Sequence, residues 1–156
     1  MRLPCTILFV SLLFAAPAAA QSSSGAWEFG LGPHVVFRES SSKANAGGGV
    51  TVARRSQRFA AVLEGSGTRR EGHNDWRIVA GPRAIFGAGS RTSLFMQVLA
   101  GTLIRQRESD WALLPGFGVD VRPRGGRAIR LQLDAPIERS QGRTATSIRG
   151  SVWFVF

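Results

Sequence analysis

His34 and His73 are the only imidazoles in this chain, and its single cysteine, Cys5, lies within the first twenty residues. A serine hydrolase needs a base beside its nucleophile. His34 falls on one row of an alternating apolar segment, and His73 stands beside Asn74 and Asp75 in a stretch that reads as a solvated loop. Neither is part of a His-x-Ser pattern. With no thiol beyond Cys5, disulfides, thiolate catalysis and cysteine metal ligands are excluded together, and two histidines alone do not build a tight structural metal site. The glycine run Gly47–Gly49 lacks the GK[ST] and following helix of a phosphate loop. No cofactor is expected, and the chain reads as a non-enzyme.

The remaining chemistry is ionic. Glu28, His34, Arg38, Glu64, Arg77, Arg83, Arg105, Asp120, Arg130, Asp134, Glu138 and Arg149 alternate with apolar residues within their segments. This is a row of charges on one face of a series of strands, and the strands must therefore be located.

Reading for a period of two rather than 3.6 gives eight segments. Trp27, Phe29, Leu31, Pro33, Val35 and Phe37 form one face of the first, and Val50 and Val52 mark the second. Phe59, Ala61 and Leu63 mark the third; Trp76, Ile78, Ala80, Pro82, Ala84 and Phe86 the fourth. Leu94, Met96, Val98, Ala100 and Ile104 mark the fifth. Trp111, Leu113, Pro115, Phe117, Val119 and Val121 mark the sixth; Ile129, Leu131, Leu133, Ala135 and Ile137 the seventh; Ile148, Val152, Phe154 and Phe156 the eighth.

Alternating segments of about ten residues separated by turn formers are the signature of a transmembrane β-barrel. An even number of antiparallel strands closes such a barrel with no unpaired edge, as hydrocarbon requires. The expected fold is all-β: an eight-stranded, antiparallel, up-and-down transmembrane barrel. RRSQR, GAGSR and RPRGGR read as short periplasmic turns. ESSSKANAGG, SGTRREGHN, QRESD and RSQGRT read as external loops, mostly longer.

That topology sorts the aromatics of the apolar faces. Trp27, Phe29, Phe59, Phe86, Phe154 and Phe156 fall at the periplasmic end, Phe37, Trp76 and Trp111 at the external end, and Phe117 at mid-strand. Two aromatic belts result, as a membrane barrel requires; the lack of tyrosine is atypical.

The N-terminus fits export. Residues 1–20, MRLPCTILFVSLLFAAPAAA, place Arg2 before an apolar run and end in Ala18-Ala19-Ala20, the pattern of a cleaved signal peptide. The run is too short to span a bilayer as a helix. Residues 21–156 form one barrel domain. The formal charge of +10 becomes +9 without Arg2. Export and the scatter of the arginines argue against nucleic acid and for a solvated basic exterior.

Several stretches carry a resemblance. AGPRAIF (80–86), GFGVDVRPRGGRAIRLQLD (116–134) and SIRGSVWFVF (147–156) resemble the small outer-membrane β-barrel family related to the OmpA-like transmembrane domain, in the porin-like superfamily. The alternation ending in Phe156 is similar to the C-terminal signal read by the outer-membrane assembly machinery, which assigns Phe154 and Phe156 that role. The resemblance implies residence in the outer membrane of a Gram-negative cell, as a monomer among lipid and lipopolysaccharide. The peptidoglycan-binding domain that some relatives append is absent from this sequence.

An eight-stranded barrel is wide enough only for side chains to fill its interior. The charges of Glu28, Glu64, Arg77, Arg83, Asp120, Arg130, Asp134 and Arg149 should therefore meet as ion pairs. By height, Asp120, Arg130, Arg83, Arg149, Glu28 and Glu64 belong to the inner half; Arg38, Arg77, Asp134, Glu138 and Arg105 belong to the outer half. The pairs either plug the lumen or rearrange to pass ions, with a ligand site at the external mouth as a third reading. Arg69, Arg70, Arg107 and Arg143, read as loop arginines, are placed to meet lipopolysaccharide phosphates. Two alternatives stand beside the barrel protein of structural or interaction role: a soluble lipocalin-like barrel binding an apolar ligand, and a lipid A-modifying enzyme. The first needs the faces reversed, and the second lacks the His-x-Ser pattern of outer-membrane deacylases.

Overall fold

The structure, a computed structural model, describes residues 25–38, 41–70, 72–88, 91–105, 108–123, 127–140 and 143–156. Residues 1–20, read above as a signal peptide, lie outside them. Nine strand elements follow in chain order: β1 (Ala26–Arg38), β2 (Ser41–Arg55), β3 (Phe59–Arg70), β4 (His73–Phe86), β5 (Thr92–Arg105), β6 (Glu108–Val121), β7 (Ala128–Asp134), β8 (Ile137–Ser140) and β9 (Arg143–Val155). β7 and β8 are two halves of one strand, since both pair antiparallel with β6 on one side and β9 on the other. Each strand pairs with the next, and β1 pairs with β9. The sheet thus closes on itself as an eight-stranded antiparallel barrel. Gly25 and Phe156 share the proximal end with the turns after β2, β4 and β6; the other four connections lie at the distal end.

The faces follow the alternation. Along β1 the odd-numbered residues Trp27 to Phe37 are exposed, and the even-numbered residues from Glu28 to Val36 are buried. The same holds around the wall, with Phe59 63% and Phe117 57% exposed while Arg130 and Arg149 are 1% or less. Apolar residues face out and charges face in, the reverse of what a lipocalin-like barrel in water needs. All ten aromatics assigned to the outer face are there, and Phe95 and Trp153 are inside.

Two expectations are corrected. The connectors read as external loops are mostly strand: β2 begins at Ser41 and includes Gly47–Gly49, and β3 and β4 run on to Arg70 and His73. Distal connections are therefore short, because paired hairpin strands satisfy their backbone groups beyond the aromatic belt. The seventh segment, read as one strand, breaks at Ala135-Pro136, where proline offers no N–H to the ladder. The chain rejoins through Ala135 N to Pro115 O (2.9 Å) and Ser147 N to Pro136 O (3.1 Å).

The other barrel prolines sit where the ladder is relaxed on one side. Pro33 pairs with Gly48 on β2 while the β1–β9 register skips Gly32 and Pro33, and Pro82 pairs with Ala61 on β3 while the β4–β5 register skips Gly81 and Pro82. A Cβ on Gly32 would collide with the Val152 carbonyl, and one on Gly81 with that of Val98. Glycine at these two positions lets the neighbouring strand approach beside a residue that cannot donate.

Candidate functional site

The charged side chains of the lumen form three groups, beside a buried apolar cluster that includes Val62, Val79, Leu99, Leu103 and Leu114. In the middle, Arg149 on β9 donates from Nε and Nη2 to Asp134 Oδ2 at 2.9 and 2.7 Å. Its Nη1 and Nη2 also reach Glu64 on β3, the second at 3.2 Å to Oε2. Asp134 accepts further bonds from Gln132 Nε2 (2.9 and 3.1 Å) and Gln97 Nε2 (3.3 Å). Arg149, Glu64 and Asp134 are all buried, so their charges survive only because each is paired and hydrogen-bonded.

Toward the proximal end, Arg130 grips Asp120 with two near-parallel bonds, Nε to Oδ1 at 2.6 Å and Nη2 to Oδ2 at 2.9 Å. That fork geometry is the strong form of an arginine–carboxylate pair. The register sets it, because Asp120 and Arg130 are direct partners across β6 and β7. Glu28 then gathers three guanidinium groups: Arg122 at 2.9 Å, Arg55 at 3.0 Å and Arg130 at 3.3 Å. Arg55 also reaches Asp120 at 3.4 Å.

The distal group is centred on Glu138 and Asp75. Glu138 accepts from Arg77 and Arg105 and lies 3.6 Å from Arg38. Asp75 takes Arg38 at 3.2 Å and Arg105 at 3.3 Å. His34 makes no ion pair among the described residues and shares a 2.8 Å bond from Nε2 with Thr68 Oγ1.

Arg83 differs from the rest. Among the described residues it makes no ion pair within 4 Å; its Nε and Nη2 donate to Gln97 Oε1 at 2.9 and 2.7 Å. Its guanidinium lies 4.7 Å from the Phe95 ring centroid, and that of Arg130 lies 5.1 Å from the same centroid. Phe95 is therefore a cation–π partner for two buried arginines.

The sequence places every one of Glu28, Glu64, Arg77, Arg83, Asp120, Arg130, Asp134 and Arg149 on the inner face, where the structure has them buried. Two details are corrected. Arg83 pairs with an amide and a ring rather than a carboxylate. Asp134, expected in the outer half, joins Arg149 and Glu64, because it is the direct cross-strand partner of Arg149 between β7 and β9.

Sequence reasoning missed Arg55, Asp75 and the glutamines Gln97 and Gln132 as partners in the network. Asp75 stands two residues before Arg77 and Arg55 two after Ala53. Extending each alternating row by one step would have found both.

Other assigned residues sit apart from the lumen. Arg69 and Arg70 are the last two residues of β3, and Arg143 the first of β9, rather than loop residues; His73 is likewise the first residue of β4. Arg69 is exposed and Arg70 half-buried. Arg107 lies outside the described residues. Phe154 and Phe156 face outward, and Phe156 closes the ladder with Phe29 through N–H to O bonds of 2.8 and 3.2 Å.

No family model matches this chain, and no curated protein matches it by sequence. Solved structures do match. The crystal structure of Neisserial surface protein A aligns with a TM-score of 0.70 at 7% identity, covering 85% of this chain and 97% of that one. Ail, the attachment invasion locus protein of Yersinia pestis, aligns at 0.57 with 14% identity, covering 86% of this chain and all of Ail. Ail in complex with the heparin analogue sucrose octasulfate aligns at 0.58 with 15% identity and the same coverage of each chain. The chain thus has the fold of the small outer-membrane eight-stranded β-barrels.

Proposed function

We propose that this chain is an integral outer-membrane barrel protein with a structural or interaction role, no catalytic activity, and a lumen closed by its own ion pairs. One observation carries the reading: an apolar outer wall bounded by two aromatic belts surrounds a lumen of interlocked guanidinium and carboxylate groups. Water would favour the opposite arrangement of faces, whereas a bilayer requires this one. In this reading residues 1–20 direct export and are removed. The proximal end stands in the periplasm, and Phe154 and Phe156 present the chain to the assembly machinery.

The closed lumen is supported by the span of the network. Arg149 ties β9 to both β7 and β3, while Arg130, Arg55 and Arg122 tie β7, β2 and the end of β6 to Glu28 on β1. An ion crossing the lumen would have to separate buried pairs, and breaking one such pair leaves an uncompensated charge. In this reading Arg69, Arg70, Arg107 and Arg143 pair with lipopolysaccharide phosphates on the external side. A related barrel, Ail, has been crystallised with a polysulfated ligand, and sulfate and phosphate offer arginine the same acceptor geometry.

The test has two readouts. In membrane fractions the mature chain should be extracted only by detergent and should show heat-modifiable gel mobility; a soluble chain overturns the reading. In planar bilayers the wild type should pass no steady current, with conductance appearing when Arg149 and Arg130 are replaced together by alanine. A wild type that conducts steadily overturns the closed lumen while leaving the membrane barrel intact.

A further inference from the structure

Among the described residues, seven arginines (Arg38, Arg55, Arg77, Arg83, Arg105, Arg130 and Arg149), with Arg122 at the mouth, face six carboxylates (Glu28, Glu64, Asp75, Asp120, Asp134 and Glu138) inside the barrel. Most of the surplus of the chain must therefore sit elsewhere. The three proximal turn segments, 54–58, 87–91 and 122–127, contain seven arginines and no carboxylate. The distal connections and the strand ends beside them, in contrast, interleave their basic residues with Glu39, Glu71, Glu108 and Asp110. In sequence these arginines are scattered over more than seventy positions; closing the barrel gathers the described ones, Arg54, Arg55, Arg58, Arg91, Arg122 and Arg127, on one rim.

The position of two of them shows which way the rim is directed. Arg54 carries its guanidinium 5.9 Å from the ring centroid of Trp27, and Arg127 lies 5.7 Å from that of Phe156. Both rings belong to the outward proximal belt, 60% and 53% exposed. Cation–π contact at that distance places these charges on the outer wall at the height of the belt, where headgroups meet an embedded barrel. Arg58 and Arg91 are exposed on the intervening turns. Arg55 and Arg122 turn the other way, into the mouth, and are held by Glu28.

We propose that the proximal rim is a binding surface for anionic phospholipid headgroups, with Arg54, Arg58, Arg91 and Arg127 as its contacts. The inference rests on the membrane-barrel reading above. Guanidinium groups bind phosphate oxygens through paired N–H donors, and their spacing over three turns suits several separate headgroups rather than one compact ligand. The rim thereby recruits acidic lipid to the leaflet that holds the chain termini and sets the depth of the barrel in it. A basic residue near an anionic membrane surface is worth about a fivefold change in association.

Spin-labelled lipids test this on the mature chain refolded into phosphatidylcholine bilayers, with insertion of every variant checked by heat-modifiable mobility. Spin-labelled phosphatidylglycerol should associate with the barrel about fivefold more strongly than spin-labelled phosphatidylcholine. Replacing Arg54, Arg58, Arg91 and Arg127 by glutamine should bring the ratio near one, while lysine at the same positions keeps most of the preference. Replacing Lys43 and Arg139 at the distal end by glutamine should leave it unchanged. An inserted wild type with no preference, a preference lost only in the distal variant, or one abolished by inorganic phosphate at constant ionic strength overturns the rim assignment alone. A wild type that does not insert overturns the barrel reading as well.

Discussion

Arg149 and Glu64 meet across the middle of the lumen although 85 residues separate them and two strands, β1 and β2, lie between theirs. Both are almost wholly buried, with side-chain exposures of 0% and 1%. The same guanidinium holds Asp134 on its other side. One arginine is therefore the common partner of two carboxylates, and its loss would leave both charged and unpaired.

Arg149→Ala should accordingly destabilise the folded barrel by about 3–5 kcal/mol, the range for breaking a buried pair from one side. Urea unfolding in bilayers, followed by the fluorescence of the four tryptophans, measures it. Arg149→Lys should fall between wild type and alanine, because an ammonium cannot serve two carboxylates in fork geometry. A loss below about 1 kcal/mol in the alanine variant would show that the pairs do not hold the lumen together.

Arg83→Met should behave differently. This guanidinium leaves no carboxylate behind when removed, and its Nη1 has no hydrogen-bond partner among the described residues. A thioether of similar length keeps contact with Phe95 and removes a costly buried charge. The unfolding free energy should change by less than about 1.5 kcal/mol, as a volume-conserving swap does; a loss as large as that of Arg149→Ala would mean that Arg83 has a partner not seen here.

Two alanine substitutions at glycine separate close packing from glycine content. Gly32→Ala forces a Cβ into the Val152 carbonyl and should lower the yield of heat-modifiable, folded barrel severalfold, whereas Gly150→Ala meets nothing within 4 Å and should fold like wild type. Equal yields for the two would contradict the tight β1–β9 approach beside Pro33.

Depth in the bilayer can be read from charge on the outer wall. Phe117 is the one mid-strand aromatic of the outer face, and Phe86 lies in the proximal belt. Phe117→Arg should cost about 2–4 kcal/mol through its charge at the bilayer midplane, against about 0–1 kcal/mol for the charge in Phe86→Arg. Equal penalties in vesicle unfolding titrations would place the two side chains at one depth and refute the belt assignment.

Phe156→Ala keeps the backbone bonds to Phe29 and removes the ring beneath Arg127. If the ring is an assembly signal, the variant should reach the outer membrane at a severalfold lower level while its purified form unfolds at nearly the wild-type urea concentration. Normal levels in cells would remove that role from Phe156.

Much of this architecture is legible because a strand places successive side chains on opposite faces. The row of Ile129, Leu131 and Leu133 against Arg130, Gln132 and Asp134 states both the strand and its two environments. β2 was barely legible, since Ala46 to Gly49 carry almost no side chain to alternate; β1 and β3 supply the pairing that makes this stretch a strand. The row containing Asp75 is hard to follow to its end for a similar reason. His73 and Asn74 look like loop residues until Arg70 and Arg69 are seen paired with them.

The amino-acid sequence by itself determined the period, the number of strands, the apolar and charged faces and the belts, all of which are local properties repeated along the chain. Which arginine meets which carboxylate was decided only by the closed barrel. Those pairs depend on register and on closure between β1 and β9, which bring residues far apart in sequence to one height of one narrow lumen. The basic proximal rim has the same origin: three turns, each unremarkable alone, become one surface because alternate hairpins must end on the same side.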